Sequence, residues 1–423
     1  MALTGLPADL FVAVLSRAPS GSHGALAQTC RSARDALRSP AFRVERVRSG
    51  FFESRLVLAL GSQDGIMRHD EQFAWLALTL GADGVTALRV LPRVPMPRRG
   101  TPPRGGRWAG GACWPRANGM EPAAPGVVAL WRNARIHIVS VARGEVIETI
   151  LPPAETRWSR FTCVGRVGEE WIACGGQRYI KEVGYTFSTT TLRRVPTGAW
   201  AAGPEMPRGS SGGRGIVSRN AFYVLGGETA EENPTGSLSE GTTMTSLLCY
   251  ERGVWTERPG LPAPAVTPLM CAVLNDCIHV IASTYDEYEG QEFPATHHCI
   301  FDPHLDVWSS LPLPDSIDVE MYPWPDDAHP AALVATENTG LLHLLLYRVD
   351  DARRDYLNYR LMQEDDVDYL EIHAYDDASG TWRTPSTHDV PRAAIRLLAT
   401  DHPDSDSDAA ESSGICGGWV FEV

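Results

Sequence analysis

Long apolar stretches are missing from this chain. No window of about 18 uncharged apolar residues occurs, and this absence excludes a membrane-spanning helix. The N-terminal apolar run over residues 6–15 contains Pro7 and Asp9 and precedes no small-residue cleavage site. The sequence therefore predicts no signal peptide and no membrane partner.

Paired cysteine motifs are missing too. The chain has 9 cysteines, an odd number, and no Cys-x-x-Cys pair. Several of them lie in apolar runs, where a thiol behaves as a small buried hydrophobic group. These are Cys113, Cys163, Cys174, Cys249 and Cys271. A reducing compartment fits this pattern better than a disulfide framework, so we expect the protein in the cytoplasm, the nucleus or both.

Signatures of catalysis and of cofactor binding are lacking as well. There is no Gly-x-Ser-x-Gly and no His-Glu-x-x-His, and no glycine pair precedes the Lys-Ser/Thr of a phosphate-binding loop. The densest group of potential metal ligands is His297-His298-Cys299, in which strand alternation would put His297 and Cys299 on one face. A third ligand is not evident, so we predict no metal, no cofactor and no catalytic residues.

Charge is unevenly distributed along the chain. Residues 1–110 contain 15 Arg and Lys against 8 Asp and Glu, whereas the remainder contains 23 against 44. An acidic body argues against nucleic-acid binding, and the basic head suits either an acidic protein partner or a solvated helix face. Carboxylate groups such as Asp326-Asp327, Asp365-Asp366 and Asp404–Asp408 are interpreted as solvated loops rather than catalytic pairs or a calcium loop.

The first 48 residues have the periodicity of helices. Leu6, Leu10 and Val14 recur every four residues, and Pro7 and Asp9 suit a first helical turn. A second helix capped by a serine at position 22 and a short third helix over 41–48 are also predicted. Three such helices bury little surface alone, so the segment is expected to pack on another protein or on the following domain.

The motifs of this segment resemble the F-box. Leu-Pro-x-Asp-Leu at 6–10 is followed by Val-Leu-Ser-Arg-x-Pro at 14–19, Ala-Leu-x-x-x-Cys-Arg at 25–31 and Ser-Pro-x-Phe at 39–42. In F-box/Kelch proteins these helices dock on the Skp-type adaptor of cullin-RING ubiquitin ligases. The resemblance implies an adaptor-facing or supporting surface made of Leu6, Pro7, Leu10, Val14, Leu15, Leu26 and Cys30. The family usually has Trp where this chain has Ala33, which removes an apolar anchor worth about 2–3 kcal/mol.

A repeated module follows. It consists of an apolar strand, Gly-Gly, a variable loop, a second strand with an aromatic residue, then Trp and a Leu/Met-Pro turn, and its copies span 161–207, 221–262, 270–312 and 341–382. In the first copy we predict that 185–187 forms the aromatic strand. Two weaker units over 56–92 and 127–152 are identified from strand rhythm alone. The residues that mark the module are Gly175, Gly176, Trp200, Gly226, Gly227, Trp255, Trp308 and Trp382.

Each unit offers about four short strands, too few to bury both faces, so the units must stack around an axis. The module resembles the Kelch repeat, which implies a β-propeller. We therefore predict a mainly-β fold, a Kelch-type β-propeller of six blades over 49–423, preceded by a three-helix F-box-like segment over 1–48. Acidic insertions are expected near 313–330, 350–370 and 400–413. The last stretch, 417–423, is predicted to pair into the first blade and close the ring.

The two resemblances together imply a substrate-recognition subunit of a Skp–cullin–F-box ubiquitin ligase. The F-box would bind the adaptor, the propeller loops would bind a target protein, and the chain would contain no catalytic group of its own. The acidic loops favour a basic target if they share a face. Two alternatives stay open: a Kelch propeller scaffold outside the ubiquitin system, and a propeller enzyme with an axial site.

Overall fold

The computed structural model describes most of the predicted strands and part of the N-terminal segment. The described residues are 8–16, 33, 36, 42, 54–62, 72–81, 84–95, 119–124, 127–132, 135–140, 143–151, 153, 163–180, 184–210, 213–229, 242–263, 267–283, 296–311, 313–314, 317, 329–336, 340–348, 369–389 and 413–422.

A single helix with defined bounds, α1 (Ala8–Ser16), is present in the described part of the N-terminal segment. Ala33, Ala36 and Phe42 are also helical, but the bounds of the predicted second and third helices and the boundary at 48/49 lie outside the described residues. No described helix has both the length and the apolar character needed to cross a bilayer.

Antiparallel strands make up most of the rest, and they form six sheets of four or five strands. The first sheet contains β1 (Ser54–Ser62), β2 (Gln72–Gly81), β3 (Gly84–Pro95) and β29 (Ser413–Glu422). The second contains β4 (Gly119–Ala124), β5 (Val127–Arg132), β6 (Arg135–Ser140) and β7 (Glu145–Ile150). The third contains β8 (Cys163–Val167), β9 (Glu170–Cys174), β12 (Thr191–Arg194) and β13 (Trp200–Ala202).

The remaining three sheets follow the same plan. The fourth contains β14 (Arg214–Ser218), β15 (Ala221–Leu225), β18 (Leu247–Glu251) and β19 (Val254–Arg258). The fifth contains β20 (Thr267–Leu274), β21 (Cys277–Ser283), β22 (Thr296–Asp302) and β23 (Val307–Leu311). The sixth contains β24 (His329–Thr336), β25 (Leu341–Arg348) and β26 (Tyr369–Asp376), with β27 (Thr381–Trp382) and β28 (Ser386–Asp389) both paired to β26.

The inner edge strands of the six sheets follow one another in a circle. β4 lies beside β8, and β8, β14, β20 and β24 then follow in order. β29 lies beside both β24 and β4, which completes the circle. This arrangement is consistent with a β-propeller-like fold, because four-stranded sheets with two apolar faces become buried when they stack around a common axis.

The circle is closed by the end of the chain. β29 pairs with β1 along its length, from Ser413 opposite Ser62 to Glu422 opposite Ser54. The predicted pairing is therefore confirmed for 417–422, and Val423 lies outside the described residues. The first sheet thus depends on two parts of the chain that are far apart in sequence.

Apolar clusters lie between successive sheets. The cluster between the third and fourth sheets includes Cys163, Ile172, Phe222 and Trp255. Equivalent clusters lie between the second and third, the fourth and fifth, and the fifth and sixth sheets. The core is therefore a series of layers between sheets, as expected when one sheet cannot bury itself.

One sequence assignment is wrong. Residues 185–187, predicted as the aromatic strand of the first clear repeat, belong to β11 (Gly184–Phe187), which pairs with β10 (Gln177–Ile180) in a separate two-stranded ribbon. The third strand of that sheet is β12 instead. A second, shorter ribbon of β16 (Glu228–Thr229) and β17 (Thr242–Thr243) leaves the fourth sheet at the equivalent place.

Candidate interaction surfaces

The glycine pairs of the module mark the points where the chain leaves the sheet. Gly175 and Gly176 have φ values of 70° and 103°, and Gly226 and Gly227 have 65° and 99°, a conformation that favours glycine. A Cβ at Gly175 would lie 2.6 Å from the carbonyl oxygen of Ser210, so the site excludes a side chain. The predicted structural role of these four residues agrees with their geometry.

The tryptophans of the module connect neighbouring sheets. Nε1 of Trp200 donates to the carbonyl oxygen of Leu151 at 2.9 Å, and Nε1 of Trp308 donates to that of Pro259 at 2.7 Å. Nε1 of Trp255 donates to Oγ1 of Thr191 at 3.0 Å. In each case the indole reaches back to the preceding sheet, so the residue provides both apolar area and a directional bond.

Trp382, the tryptophan of the sixth sheet, behaves differently. Its Nε1 atom is buried and has no hydrogen-bond partner among the described residues. Its ring centroid lies 5.3 Å from that of His298 and 5.4 Å from that of Tyr375. The fourth module tryptophan therefore makes ring contacts in place of the indole hydrogen bond.

Tight turns at one end of the fourth, fifth and sixth sheets are connected to one another. Oγ of Ser218 donates to the carbonyl oxygen of Asp276 at 2.8 Å, and Nδ2 of Asn275 donates to Oδ2 of Asp377 at 2.7 Å. Asn275 and Asp276 have positive φ values of 51° and 65°. We call this end of the three sheets the turn face, and these bonds show that the sheets point the same way.

The opposite end, which we call the loop face, carries the longer connections. There Ser283 lies opposite Thr296, Arg348 opposite Tyr369, and Asp389 also opposite Tyr369. The segments that join the strands at this end are 284–295, 312–328, 349–368 and 390–412. Together they contain 21 Asp and Glu against 5 Arg, whereas the net charge of the whole chain is −14. The four acidic segments are thus all attached to strand ends at the loop face.

Among the described side chains of the N-terminal helix, one apolar side chain is exposed to solvent. Val14 is 47 % exposed, whereas Phe11 and Leu15 are buried against Ala33 and Phe42. Leu15 therefore supports the packing of the head. Of the other predicted adaptor-binding residues, Leu10 lies in α1 with its side chain outside the described part. Leu6, Pro7, Leu26 and Cys30 lie outside the described residues altogether.

The position at which the F-box family usually has Trp is filled by a buried residue. Ala33 is 3 % exposed and belongs to the same cluster as Phe11 and Leu15. A small side chain there allows the two helical parts to approach closely. Ala33 thus contributes to the internal packing of the head.

Two histidines are buried side by side between the fifth and sixth sheets, a pairing that the sequence analysis did not predict. His279 and His298 are both 0 % exposed, and Nδ1 of His279 lies 3.1 Å from Nε2 of His298. Burial lowers the pKa of His279 to about 4, against the opposing effects of Asp377 and of the backbone carbonyl of Leu274. Burial, together with His279, lowers the pKa of His298 to about 3. Period-two alternation in β21 and β22 was the available signal.

In β22 the strand register places His297 and Cys299 on one face, as predicted, and His298 on the other. His298 faces the sixth sheet, whereas Cys299 belongs to the cluster facing the fourth sheet. Among the described residues no group of three His, Cys, Asp or Glu side chains is placed to hold a metal ion. The described part of the chain thus offers no site to which a metal-dependent activity can be assigned.

The buried thiols are held in their protonated form. Burial raises the pKa of Cys163 to about 12 and that of Cys271 to about 11, although Arg214 acts in the opposite direction on both. Sγ of Cys163 donates to the carbonyl oxygen of Gly213 at 3.2 Å. A protonated thiol is a poor nucleophile, so the buried Cys163 and the half-buried Cys271 serve packing.

Comparisons with known proteins add little to this geometry. No protein-family model matches the chain. No curated protein matches it either. A solved structure entitled "Structure of YjhT" is similar over 62 % of this chain and 80 % of that one, with 14 % identity and a TM-score of 0.41. A likeness at this level supports no conclusion about function.

Proposed function

We propose that this chain is a non-catalytic substrate-recruiting subunit of a Skp–cullin–F-box ubiquitin ligase, acting in the cytoplasm or nucleus. The observation that carries the proposal is the exposed Val14 on a helix from which Phe11 and Leu15 are packed inside the head. An apolar side chain held in place by its own helix and left open to solvent suits contact with a partner. The order of F-box-like motifs names the Skp-type adaptor as that partner.

The finer description of the body, a Kelch-type propeller of six blades, is part of the same proposal. Its support is the set of six sheets, the closing strand β29 and the glycine and tryptophan positions of the module. A closed circle of rigid sheets presents its connecting loops at two ends. Such a body needs no catalytic group to hold a target near a ubiquitin-conjugating enzyme.

We further propose that the target is a basic protein segment bound at the loop face. The four segments that join strands at this face have an excess of 16 negative charges. A concentration of one sign of charge raises the association rate of partners of the opposite sign, and the effect weakens as salt is added. Neither nucleic acid nor an anionic membrane surface suits such a face.

The adaptor contact is tested by capture of a purified Skp-type adaptor on the full-length chain. We expect binding by the full-length chain, none by a fragment of residues 49–423, and a loss of at least tenfold for Val14→Asp. Val254→Asp is the matched control, because Val254 is also exposed, at 58 %, but lies on the outer strand of the fourth sheet. Equal binding by the two valine variants would exclude α1 from the contact.

The target contact is tested separately with the fragment of residues 49–423. An Arg- and Lys-rich peptide of about 15 residues should bind it with an affinity that falls as NaCl is raised from about 50 to 500 mM. A peptide of the same composition with Glu in place of the basic residues is the control. Peptide binding without any adaptor capture would favour the scaffold function outside the ubiquitin system.

A further inference from the structure

The interface between the fifth and sixth sheets has a chemistry that the other described interfaces lack. His279 on β21 and His298 on β22 face the sixth sheet, where Tyr375 lies 5.9 Å and 4.9 Å from them between ring centroids. Trp382 completes the enclosure of His298. Two imidazoles are therefore buried in an aromatic pocket formed by two different sheets.

Titratable and charged side chains approach the pair of His279 and His298 from β26 and from the turn face. On β26, Glu371, His373 and Tyr375 lie opposite Leu346, Leu344 and Leu342, on the side that packs against the fifth sheet. Nε2 of His373 lies 2.5 Å from Oε1 of Glu371, so that histidine has a carboxylate beside it. From the turn face Asp376, Asp377 and Arg383 approach, with Arg383 paired to Asp376 at 2.7 Å.

No described carboxylate lies beside the pair of His279 and His298 in the same way. The acid that acts on His279 is Asp377, and Oδ2 of Asp377 already accepts a hydrogen bond from Asn275. In the neutral state one ring nitrogen donates to the other across 3.1 Å. Adding a proton would bury an imidazolium next to a second imidazole with no ion pair, which is costly in a medium of low polarity.

The other face of the sixth sheet carries a further buried histidine. His343 lies opposite Ala374, and its Nε2 atom is 3.3 Å from Oγ1 of Thr336. Burial and the charge of Arg383 lower its pKa to about 4. The sixth sheet is thus bounded on both faces by imidazoles that resist protonation while the sheet is docked.

We propose that the sixth sheet is an acid-sensitive segment that separates from the fifth sheet when His279 and His298 take up protons. Opening at this joint would interrupt the circle of sheets beside β24, the neighbour of the closing strand β29. It would also disturb the loop face, since segments 284–295 and 349–368 connect strands of the two sheets that separate. The inference does not depend on adaptor binding.

The sign of the effect follows from the two protonation states. A histidine whose pKa is about 4 or 3 when docked, against 6.5 when free, binds more protons in the separated state at intermediate pH. Stability of the joint is therefore complete above about pH 6.5 and is lost as the pH falls toward 4. With two such histidines the ratio of docked to separated protein falls about a hundredfold per pH unit in the middle of that window.

The first test is urea unfolding of the full chain between pH 7 and pH 4.5. The double variant His279→Leu/His298→Leu replaces both partners by apolar groups. As the pH falls, the ratio of folded to unfolded protein should decrease more steeply in the wild type than in this variant, by a factor of about a hundred per pH unit. His304→Asn, at an exposed histidine of the same sheet, should follow the wild type. Superimposable pH profiles for the wild type and the double variant would overturn the proposal.

The second test needs no variant and covers the case in which the double variant does not fold. Hydrogen exchange of the wild type at pH 7 and pH 4.5, after correction for intrinsic rates, should show early loss of protection in β25 and β26. Protection in β9 and β15, at the interface between the third and fourth sheets, should persist. Simultaneous loss in all four strands would show that acid unfolds the whole body and that no local joint exists.

Discussion

The interface between the third and fourth sheets and the interface between the fifth and sixth sheets use the same repeat position in different ways. In the first, Trp255 lies 8 % exposed against Phe222 and Tyr250, and its indole N–H is bonded to Thr191. In the second, Trp382 contacts His298 and Tyr375, and its N–H has no partner among the described residues.

The difference teaches that a repeat fixes the architecture more strictly than it fixes the interactions. Both tryptophans supply large apolar area where two sheets meet, and that requirement is set by the stacking of sheets. The directional bond depends on whether the preceding sheet offers an acceptor. At Trp382 the described residues offer no acceptor, the ring packs against His298 instead, and this is the interface that we propose to be sensitive to pH.

Removal of the closing strand is the most severe test of this comparison. Deleting 417–423 removes the partners of residues 54–59 on β1 and most of the strand that lies beside β24. We expect the melting temperature of the body to fall by about 10 °C, since several kcal/mol of pairing and burial are lost. The first and sixth sheets should lose hydrogen-exchange protection before the third and fourth.

A synthetic peptide of residues 411–423, added in excess, is the control for this deletion. It should restore part of the lost melting temperature, because the edge of β1 that it would pair with remains available. A melting temperature unchanged by the deletion would mean that the circle of sheets does not depend on β29 for its stability.

A smaller effect is expected from a change at the close approach between the third and fourth sheets. A Cβ at Gly165 would lie 2.5 Å from Cε2 of Phe222 and 3.0 Å from Cγ2 of Val217. Phe222 is 0 % exposed, so its ring cannot shift away from the added methyl group without displacing other core side chains. Gly165→Ala should therefore lower the free energy of unfolding by about 1–3 kcal/mol.

Two further variants sharpen that measurement. Phe222→Leu in the Gly165→Ala background should recover part of the loss, because the shorter side chain makes room for the added methyl group. Gly168→Ala is the matched control: no atom lies within 4 Å of its Cβ position, but its φ of 59° brings backbone strain. Phe222→Leu should rescue Gly165→Ala but not Gly168→Ala. If it rescued neither variant, the loss of stability in Gly165→Ala would arise from the backbone rather than from crowding against Phe222.

Much of the architecture could be predicted from the sequence because it depends on local patterns. Alternating apolar residues with turn residues between them located at least two strands in each of the six sheets, but not β4, β12, β14 or β24. Trp419 and Val420 at the end of the chain showed the same alternation, which indicated an unpaired strand in need of a partner. The pairing of β29 with β1 followed from the requirement that a ring of sheets must close.

The errors and omissions arose where non-local contacts decide. The chain leaves the sheet at Gly176, whose N–H donates to the carbonyl oxygen of Ser210, and then forms the ribbon of β10 and β11. The sequence does not show where the chain returns to the sheet. His279 and His298 are 19 residues apart, and only their register across β21 and β22 brings them together. For the head, the sequence predicted a partner surface, and the expectation that Val14 contacts an adaptor stays a prediction.

The smallest expected effect is the difference in free energy of unfolding between the variants Trp255→Phe and Trp382→Phe. At 255 the change removes the donor to Oγ1 of Thr191, a residue only 1 % exposed, and leaves that acceptor buried. We expect a loss of about 2–3 kcal/mol in the free energy of unfolding. At 382 the change removes a buried N–H that has no partner among the described residues, so the cost is limited to lost volume, about 1 kcal/mol.

Urea unfolding at pH 7.5, above both the docked and the free pKa of His279 and His298, gives the two values with little interference from the titration of that pair. Thr191→Val combined with Trp255→Phe isolates the hydrogen bond, and we expect a coupling energy of about 1 kcal/mol between them. Equal losses at 255 and 382, together with a coupling energy near zero, would show that the indole bond contributes nothing. The two interfaces would then differ only in their histidines, because the module tryptophan would act as an apolar wall in both.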